Sequence, residues 1–261
     1  MSIKLFIFDI DGTLTISGRE IPFNLQNTLR SMQRSGKLCT VATGNAYIQF
    51  LLKYGAQFVP NTDMILENGA RIGNIYEEYF YQDELDEGIL SSVNEIIMNN
   101  NLLYIGYYRG LAQKYTFYTE DENLYQNLLY MTDEIIFDKL EFIQKIYTLK
   151  PARIVFGLKP DQTKAILPNG FIGNCIPNMN TNEVTNLSTT KGSSVNLLSE
   201  KLNIKLAEIA VIGNGYNDIP LFELNVGAKI YVGNECQDLE KYATDKVKDA
   251  EELGKFLMKY I

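Results

Sequence analysis

Two aspartates stand one residue apart in the segment FDIDGTLT, which runs from Phe8 to Thr15. Asp9 and Asp11 end an apolar run and are followed at once by Gly12. Two carboxylates at this spacing repel each other, so the pKa of one of them should rise unless a cation lies nearby. The pair is therefore a candidate centre for acid–base or cation-dependent chemistry, and Gly12 lets the backbone turn tightly behind it.

Three further polar segments could contribute to the same centre. Thr43–Asn45 follows a strand-like run, Lys191–Gly192 opens a helical run, and Gly213–Asp218 follows another strand-like run. Taken one at a time, each has an ordinary explanation as a turn, a helix cap or a solvated lysine. All of them fall at predicted strand ends or helix starts, and chemistry in a parallel sheet gathers beyond the carboxyl ends of the strands. We therefore interpret the segments as parts of one site.

The composition excludes several kinds of function. The net charge of −8 over 261 residues disfavours general binding to nucleic acid or to an anionic membrane surface. The chain has no histidine, which removes histidine phosphotransfer, Ser-His-Asp hydrolysis and His-ligated zinc. The glycines at 213 and 215 are not followed by the third glycine of a dinucleotide-binding motif, since Asp218 stands there, and the sequence contains no P-loop.

The cysteines and the apolar runs indicate the cellular compartment. Cys39, Cys175 and Cys236 are an odd number without CxxC spacing, so a disulfide framework is not expected. No apolar stretch is long enough to cross a bilayer, and residues 1–4 lead into a strand-like run without the layout of a signal peptide. We expect a cytoplasmic protein.

Strand-like and helix-like runs alternate in both end regions of the chain. In the first region the pattern predicts strands at 3–10, 38–42 and 64–67 and helices at 23–35 and 45–54. In the last region it predicts helices at 192–202 and 218–224 and strands at 208–212 and 228–232. This alternation predicts an α/β fold with a Rossmann-like, doubly wound parallel sheet.

The middle of the chain has a different texture and predicts an inserted α+β domain at 83–187, which leaves 1–82 and 188–261 as the core. The pattern there predicts helices at 86–99, 123–131 and 161–167 and strands at 103–108, 113–118, 154–158 and 171–176. Eleven of the seventeen tyrosines lie between Tyr76 and Tyr147. We interpret them as an aromatic core of a small domain in preference to a sugar-binding surface.

The four segments, taken together, resemble the motifs of the haloacid dehalogenase-like superfamily, and within it the Cof-type phosphatases with a large α/β cap. DIDGTL at 9–14 resembles the first motif, the Thr43 segment the second, Lys191–Gly192 the third and Gly213–Asp218 the fourth. The segment ENGA at 67–70 is similar to the signature that precedes the cap. The resemblance covers most of the chain and implies that the inserted domain is a cap that selects the substrate.

The resemblance also implies roles for the site residues. Asp9 would be the nucleophile that forms an aspartyl-phosphate, and Asp11 would protonate the leaving group and then activate water. Mg²⁺ would be held by Asp9, by the main-chain carbonyl of Asp11, by Asn214 and by Asp218, with Lys191 as the alternative partner of Asp218. The phosphate would be bound by four residues: Thr43, Gly44, Lys191 and Asn217.

Two positions depart from the family pattern. Asn214 stands where the family usually has an aspartate that binds magnesium, so one formal negative charge is lost and we expect the metal affinity to fall about tenfold to hundredfold. Asn45 stands where an arginine is usual, which affects the contacts expected between the substrate and the site.

The resemblance implies a magnesium-dependent phosphatase that acts on phosphomonoesters of small metabolites, with sugar phosphates as the leading class. Two alternatives stay open: a phosphomutase-type phosphotransferase, and a non-catalytic sensor of a phosphorylated ligand, which the asparagine at position 214 makes plausible. The expected partner is a small phosphorylated metabolite, without nucleic acid or membrane, and the expected oligomeric state is a monomer or a homodimer.

Overall fold

The computed structural model of the protein describes residues 2–16, 18–110, 114–121, 124, 132–178 and 181–261. The chain divides into two compact units. One unit combines the residues up to Tyr81 with Thr190–Ile261, and the other is Gln82–Thr189. Along the described residues, no helix combines the length and the apolar character needed to cross a membrane.

The first part of the chain alternates strands and helices. Its elements are β1 (Leu5–Phe8), α1 (Phe23–Arg34), β2 (Leu38–Val41), α2 (Tyr47–Tyr54), β3 (Met64–Leu66), β4 (Arg71–Gly73) and β5 (Tyr79–Gln82). The predicted elements of this part are present with slightly shorter bounds, whereas β4 and β5 were not predicted.

The second unit contains two helices and six strands among its described residues. Its elements are α3 (Glu87–Asn99), β6 (Leu102–Tyr108), β7 (Tyr115–Tyr118), β8 (Thr132–Ile136), α4 (Lys139–Leu149), β9 (Ile154–Leu158), β10 (Asn174–Asn178) and β11 (Thr181–Thr185). The predicted helix at 123–131 falls on residues outside the described ranges, apart from Leu124.

The last part of the chain returns to the first unit. Its elements are α5 (Lys191–Leu202), β12 (Ile209–Gly213), α6 (Ile219–Phe222), β13 (Ala228–Val232), α7 (Gln237–Glu240), β14 (Asp245–Val247) and α8 (Ala250–Leu257). The strand at 228–232 matches its prediction residue for residue, whereas β14 and α8 were not predicted.

The first unit is built on a parallel sheet with the strand order β14-β13-β12-β1-β2. Ala42, just after β2, also forms a parallel bridge with Ile65 of β3. The chain leaves β1 toward one edge of the sheet and later returns through β12 on the other side of β1. This reversal of direction creates a crevice at the carboxyl ends of β1 and β12, where α/β proteins commonly bind ligands.

Alternating side chains of β1 show why both faces of this sheet carry helices. Phe6 and Phe8 belong to a buried cluster that includes residues of α1 and α8. Leu5 and Ile7 point to the opposite face and join a second cluster with residues of α5 and α6. All four side chains are fully buried, and burial of each contributes roughly 2 kcal/mol. The predicted α/β fold with a doubly wound parallel sheet is therefore confirmed.

The second unit has its own sheet, with the order β10-β11-β9-β6-β7-β8. Its pairs are antiparallel except for β7 with β8. Apolar residues of α3, α4 and the sheet form one buried cluster. Tyr107, Tyr108, Tyr115 and Tyr118 are almost fully buried, which agrees with the interpretation of these tyrosines as core residues.

The predicted helix at 161–167 is wrong, because that segment has no helical structure. The main-chain N–H of Ile166 donates to Asn100 Oδ1 at 2.7 Å, and the carbonyl of Ile166 accepts from Asn100 Nδ2 at 2.9 Å. The side chain of Asn100 thus takes both main-chain hydrogen-bonding groups of Ile166, which a helix would have used within the segment.

Candidate functional site

Three charged side chains from distant parts of the sequence meet at the carboxyl ends of β1 and β12. Lys191 Nζ lies 2.7 Å from Asp9 Oδ1 and 2.7 Å from Asp218 Oδ1. Asp9 follows β1, Lys191 is the first residue of α5, and Asp218 ends the turn after β12. The side chains of Lys191 and Asp218 are fully buried and that of Asp9 is 7 % exposed. We call these three residues the Asp9 cluster.

The Asp9 cluster holds two carboxylates and one ammonium group. Burial raises the pKa of Asp9, and the charge of Asp218 adds to that effect, although Lys191 opposes it. Burial alone would lower the pKa of Lys191, but the charges of Asp218 and Asp9 outweigh burial and raise it. Lys191 therefore stays protonated. With both aspartates ionised, the cluster carries one excess negative charge, which a further cation would stabilise.

Asp218 uses both carboxylate oxygens within the protein. Oδ1 binds Lys191, while Oδ2 accepts the main-chain N–H groups of Asn214 at 2.9 Å and Gly215 at 3.0 Å. These contacts fix the loop after β12 and the position of the lysine. The sequence left two interpretations of Asp218, as a metal ligand or as the partner of Lys191. These contacts favour the second.

The amide of Asn214 faces a set of oxygens. One end of it lies 2.9 Å from the hydroxyl of Thr13, 3.1 Å from Asp9 Oδ2 and 3.2 Å from the main-chain oxygen of Asp11. The opposite end lies 3.4 Å from a carboxylate oxygen of Glu235. With its nitrogen toward Asp9, the amide donates hydrogen bonds to Thr13, Asp9 and Asp11. With its oxygen there, that oxygen accepts from the Thr13 hydroxyl and converges with Asp9 Oδ2 and the main-chain oxygen of Asp11; we call these three converging oxygens the oxygen set.

This oxygen set fits a magnesium ion. Adjacent ligands of an octahedral Mg²⁺ ion are about 3 Å apart, close to the separations that the Asn214 amide makes with Asp9 and Asp11. In the described part of the chain, three or more His, Cys, Asp or Glu side chains nowhere meet in a metal-binding arrangement. The candidate cation site thus combines one carboxylate, one main-chain carbonyl and one amide oxygen.

Gly12 is required by the local backbone next to this oxygen set. Its φ is +87°, in the left-handed region that favours glycine. A Cβ atom at this position would lie 2.3 Å from Asn214 Nδ2. A side chain at position 12 would therefore both strain the backbone and displace the amide of Asn214.

The loop after β2 presents Thr43 as a directed hydrogen-bond donor. The Thr43 hydroxyl accepts from the main-chain N–H of Asn45 at 3.1 Å and from Asn45 Nδ2 at 2.9 Å. These two donors occupy the acceptor positions of the hydroxyl, so its own hydrogen is left to donate to another group. Gly44 lies beside Thr43 in the same loop and is half-buried. This arrangement suits the binding of a phosphate oxygen.

The turn after β3 supports the Thr43 loop. Glu67 and Asn68 have φ values of +52° and +56°, and Gly69 has a φ of +106°. The N–H of Asn68 donates to the carbonyl of Thr43 at 2.9 Å, and Asn68 Oδ1 accepts from Asn217 Nδ2 at 3.3 Å. Asn217 is thus joined to the Thr43 loop through Asn68.

The carboxylate of Asp11 has partners outside the Asp9 cluster. Its Oδ1 accepts from the hydroxyl of Tyr54 at 2.5 Å, and its Oδ2 accepts from Asn45 Nδ2 at 2.8 Å. Tyr54 was missed by sequence reasoning, since nothing in the pattern of α2 distinguishes it from an ordinary core tyrosine. Asn45 was noticed as a departure from the family pattern, but its contact with Asp11 was not expected.

Comparison with known proteins places this arrangement in a family. The sequence of residues 6–256 matches the family model of the haloacid dehalogenase-like hydrolases. The chain belongs to this family. The predicted resemblance is therefore confirmed, and so is the prediction of an enzyme of the haloacid dehalogenase-like phosphatase type.

Several phosphatases are similar to this chain over most of its length. Phosphoglycolate phosphatase from Pyrobaculum islandicum is 25 % identical over 260 residues, which cover 97 % of this chain and 93 % of that protein. HMP-PP phosphatase from Citrobacter koseri is 23 % identical over 245 residues, covering 90 % and 86 %. BT1666 from Bacteroides thetaiotaomicron, studied among phosphatases of the HAD superfamily, superposes with a TM-score of 0.79 at 18 % identity, covering 99 % and 95 %.

Proposed function

We propose that the chain is a magnesium-dependent phosphatase that hydrolyses phosphomonoesters of small metabolites through an aspartyl-phosphate on Asp9. The observation that carries this proposal is the position of Asp9. One of its oxygens is 2.7 Å from Lys191, and the other lies 3.1 Å from the amide of Asn214, which also faces the main-chain oxygen of Asp11. One carboxylate thus touches both the buried cation and the oxygen set that fits magnesium.

In the proposed first step, a carboxylate oxygen of Asp9 attacks phosphorus, and the bond from phosphorus to the ester oxygen breaks. Lys191 and the Thr43 hydroxyl bind the non-bridging oxygens, the lysine through its charge and the hydroxyl through a directed hydrogen bond. Asp11 donates a proton to the leaving oxygen, so the alcohol departs neutral.

In the second step, water attacks the phosphorus of the aspartyl-phosphate while Asp11 accepts a proton from it. The bond between phosphorus and the Asp9 oxygen breaks, which releases inorganic phosphate and restores the carboxylate. Magnesium, when held by Asp9, the Asp11 carbonyl and Asn214, would supply positive charge that lets an anionic carboxylate approach an anionic phosphate.

The remaining predicted residues receive supporting roles. We propose that Asp218 holds Lys191 and the loop after β12, and that Gly44 and Asn217 shape the phosphate site around Thr43. We also propose that the unit Gln82–Thr189 is the cap that selects the substrate.

The three cysteines are free thiols, which supports the cytoplasmic location expected from the sequence.

A direct test is turnover of para-nitrophenyl phosphate with Mg²⁺ and with EDTA. Asp9→Asn should lower kcat by roughly 10⁴-fold or more, since removal of a nucleophile costs most of the rate enhancement. Asp63→Asn is a matched control, because Asp63 also pairs with a lysine, Lys201 at 2.8 Å, outside the Asp9 cluster. Full activity of Asp9→Asn would contradict the proposal.

The second candidate, a sensor of a phosphorylated ligand, is favoured by one observation. With its nitrogen toward Asp9, the Asn214 amide satisfies Asp9 and Asp11 by hydrogen bonds alone. A sensor would bind phosphate without metal and show no turnover at any magnesium concentration. Metal-dependent turnover would exclude it.

A further inference from the structure

Beyond the roles above, we propose that Tyr54 and Asn45 are positioning residues that hold the Asp11 carboxylate in place for proton transfer to the leaving group. The proposal rests on the proposed function. The Tyr54 hydroxyl donates to Asp11 Oδ1 at 2.5 Å, and Asn45 Nδ2 donates to Oδ2 at 2.8 Å. Each oxygen of the carboxylate therefore has its own donor, and the two donors come from different parts of the chain.

The ring of Tyr54 is a rigid support for its hydroxyl. Tyr54 is the last residue of α2, is fully buried, and belongs to the cluster that covers one face of the parallel sheet. The hydroxyl also lies 3.1 Å from the carbonyl of Gly18. Because the buried ring cannot swing away without disrupting the core, its hydroxyl marks a fixed point for Asp11.

Asn45 links Asp11 to the predicted phosphate-binding hydroxyl. Asn45 is 8 % exposed, and its Nδ2 lies 2.8 Å from Asp11 Oδ2 and 2.9 Å from Thr43 Oγ1. An amide nitrogen has two hydrogens, which matches these two acceptors. The residue that replaces the usual arginine thus fixes the distance between the proton donor and the phosphate site.

These contacts give the main-chain oxygen and the side chain of Asp11 different roles. Its main-chain oxygen faces the amide of Asn214 within the oxygen set that fits magnesium, whereas its side chain is turned to Tyr54 and Asn45. A carboxylate without these donors could rotate toward the oxygen set and bind a cation there. We infer that the two donors keep the side chain available for proton transfer.

The test compares two esters of similar shape, para-nitrophenyl phosphate and phenyl phosphate, in the full-length enzyme with Mg²⁺. The para-nitrophenolate group leaves readily without a proton, whereas phenolate needs one. We expect Tyr54→Phe to lower kcat/KM about tenfold to hundredfold for phenyl phosphate and less than about threefold for para-nitrophenyl phosphate, as loss of a well-placed general acid would. Asn45→Ala should likewise lower kcat/KM more for phenyl phosphate than for para-nitrophenyl phosphate.

A matched control comes from the same helix. Tyr47 begins α2, and its hydroxyl donates to the carbonyl of Ile75 at 2.8 Å. Tyr47→Phe removes one hydroxyl and one hydrogen bond but should leave the ratio of kcat/KM for the two esters unchanged. Equal losses for both esters in Tyr54→Phe, or no loss, would overturn the proposal, since a purely structural role lowers both alike.

A crystal structure of the Tyr54→Phe, Asn45→Ala double variant gives a second measurement that does not depend on turnover. We expect the Asp11 carboxylate to leave its present rotamer. An unchanged rotamer would overturn the positioning role even if the wild-type protein proved to have no phosphatase activity. The failure of this proposal is thereby distinguishable from the failure of the proposed function.

Discussion

Both compact units bury charged side chains, and the Asp9 cluster of one unit differs from a buried ion pair of the other in the number of carboxylates that each cation contacts. In the unit Gln82–Thr189, Arg153 pairs with Glu183 at 2.6 Å and donates to the hydroxyl of Tyr115 at 2.7 Å. In the other unit, Lys191 serves two carboxylates, Asp9 and Asp218. The Arg153–Glu183 contact joins one arginine to one glutamate, which suits a structural role. In the Asp9 cluster one lysine joins two aspartates, which leave an excess negative charge when both are ionised.

This difference distinguishes buried charges that stabilise the fold from buried charges that bind a ligand. A buried group that is left uncompensated is costly, so excess charge persists where a ligand supplies the balance. For the Asp9 cluster, a magnesium ion is the proposed balancing ligand. The comparison predicts that breaking either pair destabilises the protein but that only one of the two breaks abolishes activity.

Among the variants that test this comparison, the largest expected effect comes from Lys191→Met, with Arg153→Met as its counterpart. Each removes the cation of a buried pair and should lower the free energy of unfolding by about 3–5 kcal/mol, measured by urea denaturation. Lys191→Met should also reduce kcat for para-nitrophenyl phosphate by roughly 10³-fold or more. Folded Arg153→Met should keep kcat within about threefold; if both variants lose activity equally, the comparison between the units is wrong.

Gly12→Ala should have the next largest effect. The substitution puts a side chain at a φ of +87° and a Cβ atom 2.3 Å from Asn214 Nδ2, so we expect a loss of about 1–3 kcal/mol in stability and weaker binding of Mn²⁺ followed by electron paramagnetic resonance. Gly36→Ala, at a φ of +89° with no atom near its Cβ, controls for backbone strain alone. Equal Mn²⁺ affinity in the two variants would argue against displacement of Asn214.

Asn214→Asp tests whether the side chain at position 214 binds the metal. A carboxylate restores one negative charge beside Asp9 and cannot present a nitrogen to it, so the Mg²⁺ concentration for half-maximal rate should fall about tenfold to hundredfold. Isothermal titration with Mg²⁺ gives the same comparison without turnover. An unchanged requirement in both measurements would show that Asn214 does not take part in metal binding.

The sequence predicted the parts of the first unit that depend on local pattern. Continuous apolar runs marked β1 and β12, and the polar segments at the strand ends marked Asp9 and Lys191. The missed helix α8 did carry a signal, because Asp249 caps it by accepting from the N–H of Glu252, a spacing typical of helix starts. Strands β4 and β14 have three residues each, too few for a periodic pattern.

What could not be predicted depends on contacts between distant residues. The helix expected at 161–167 is absent because Asn100, more than sixty positions away, binds the main chain of Ile166. Tyr54 reaches Asp11 across forty-three positions of sequence, and the amphipathic pattern of α2 shows only that this residue is buried. Local pattern thus locates the polar segments, whereas tertiary packing decides which side chains touch.

The central claim, that Asp9 accepts the phosphoryl group, is tested most directly by trapping the intermediate. The enzyme is mixed with para-nitrophenyl phosphate and Mg²⁺, quenched in acid within milliseconds, reduced with borohydride and digested for mass spectrometry. The account predicts that the side chain at position 9 is converted to homoserine, since an acyl phosphate is reduced and a free carboxylate is not. Turnover without conversion at position 9, or conversion at another aspartate, would contradict it.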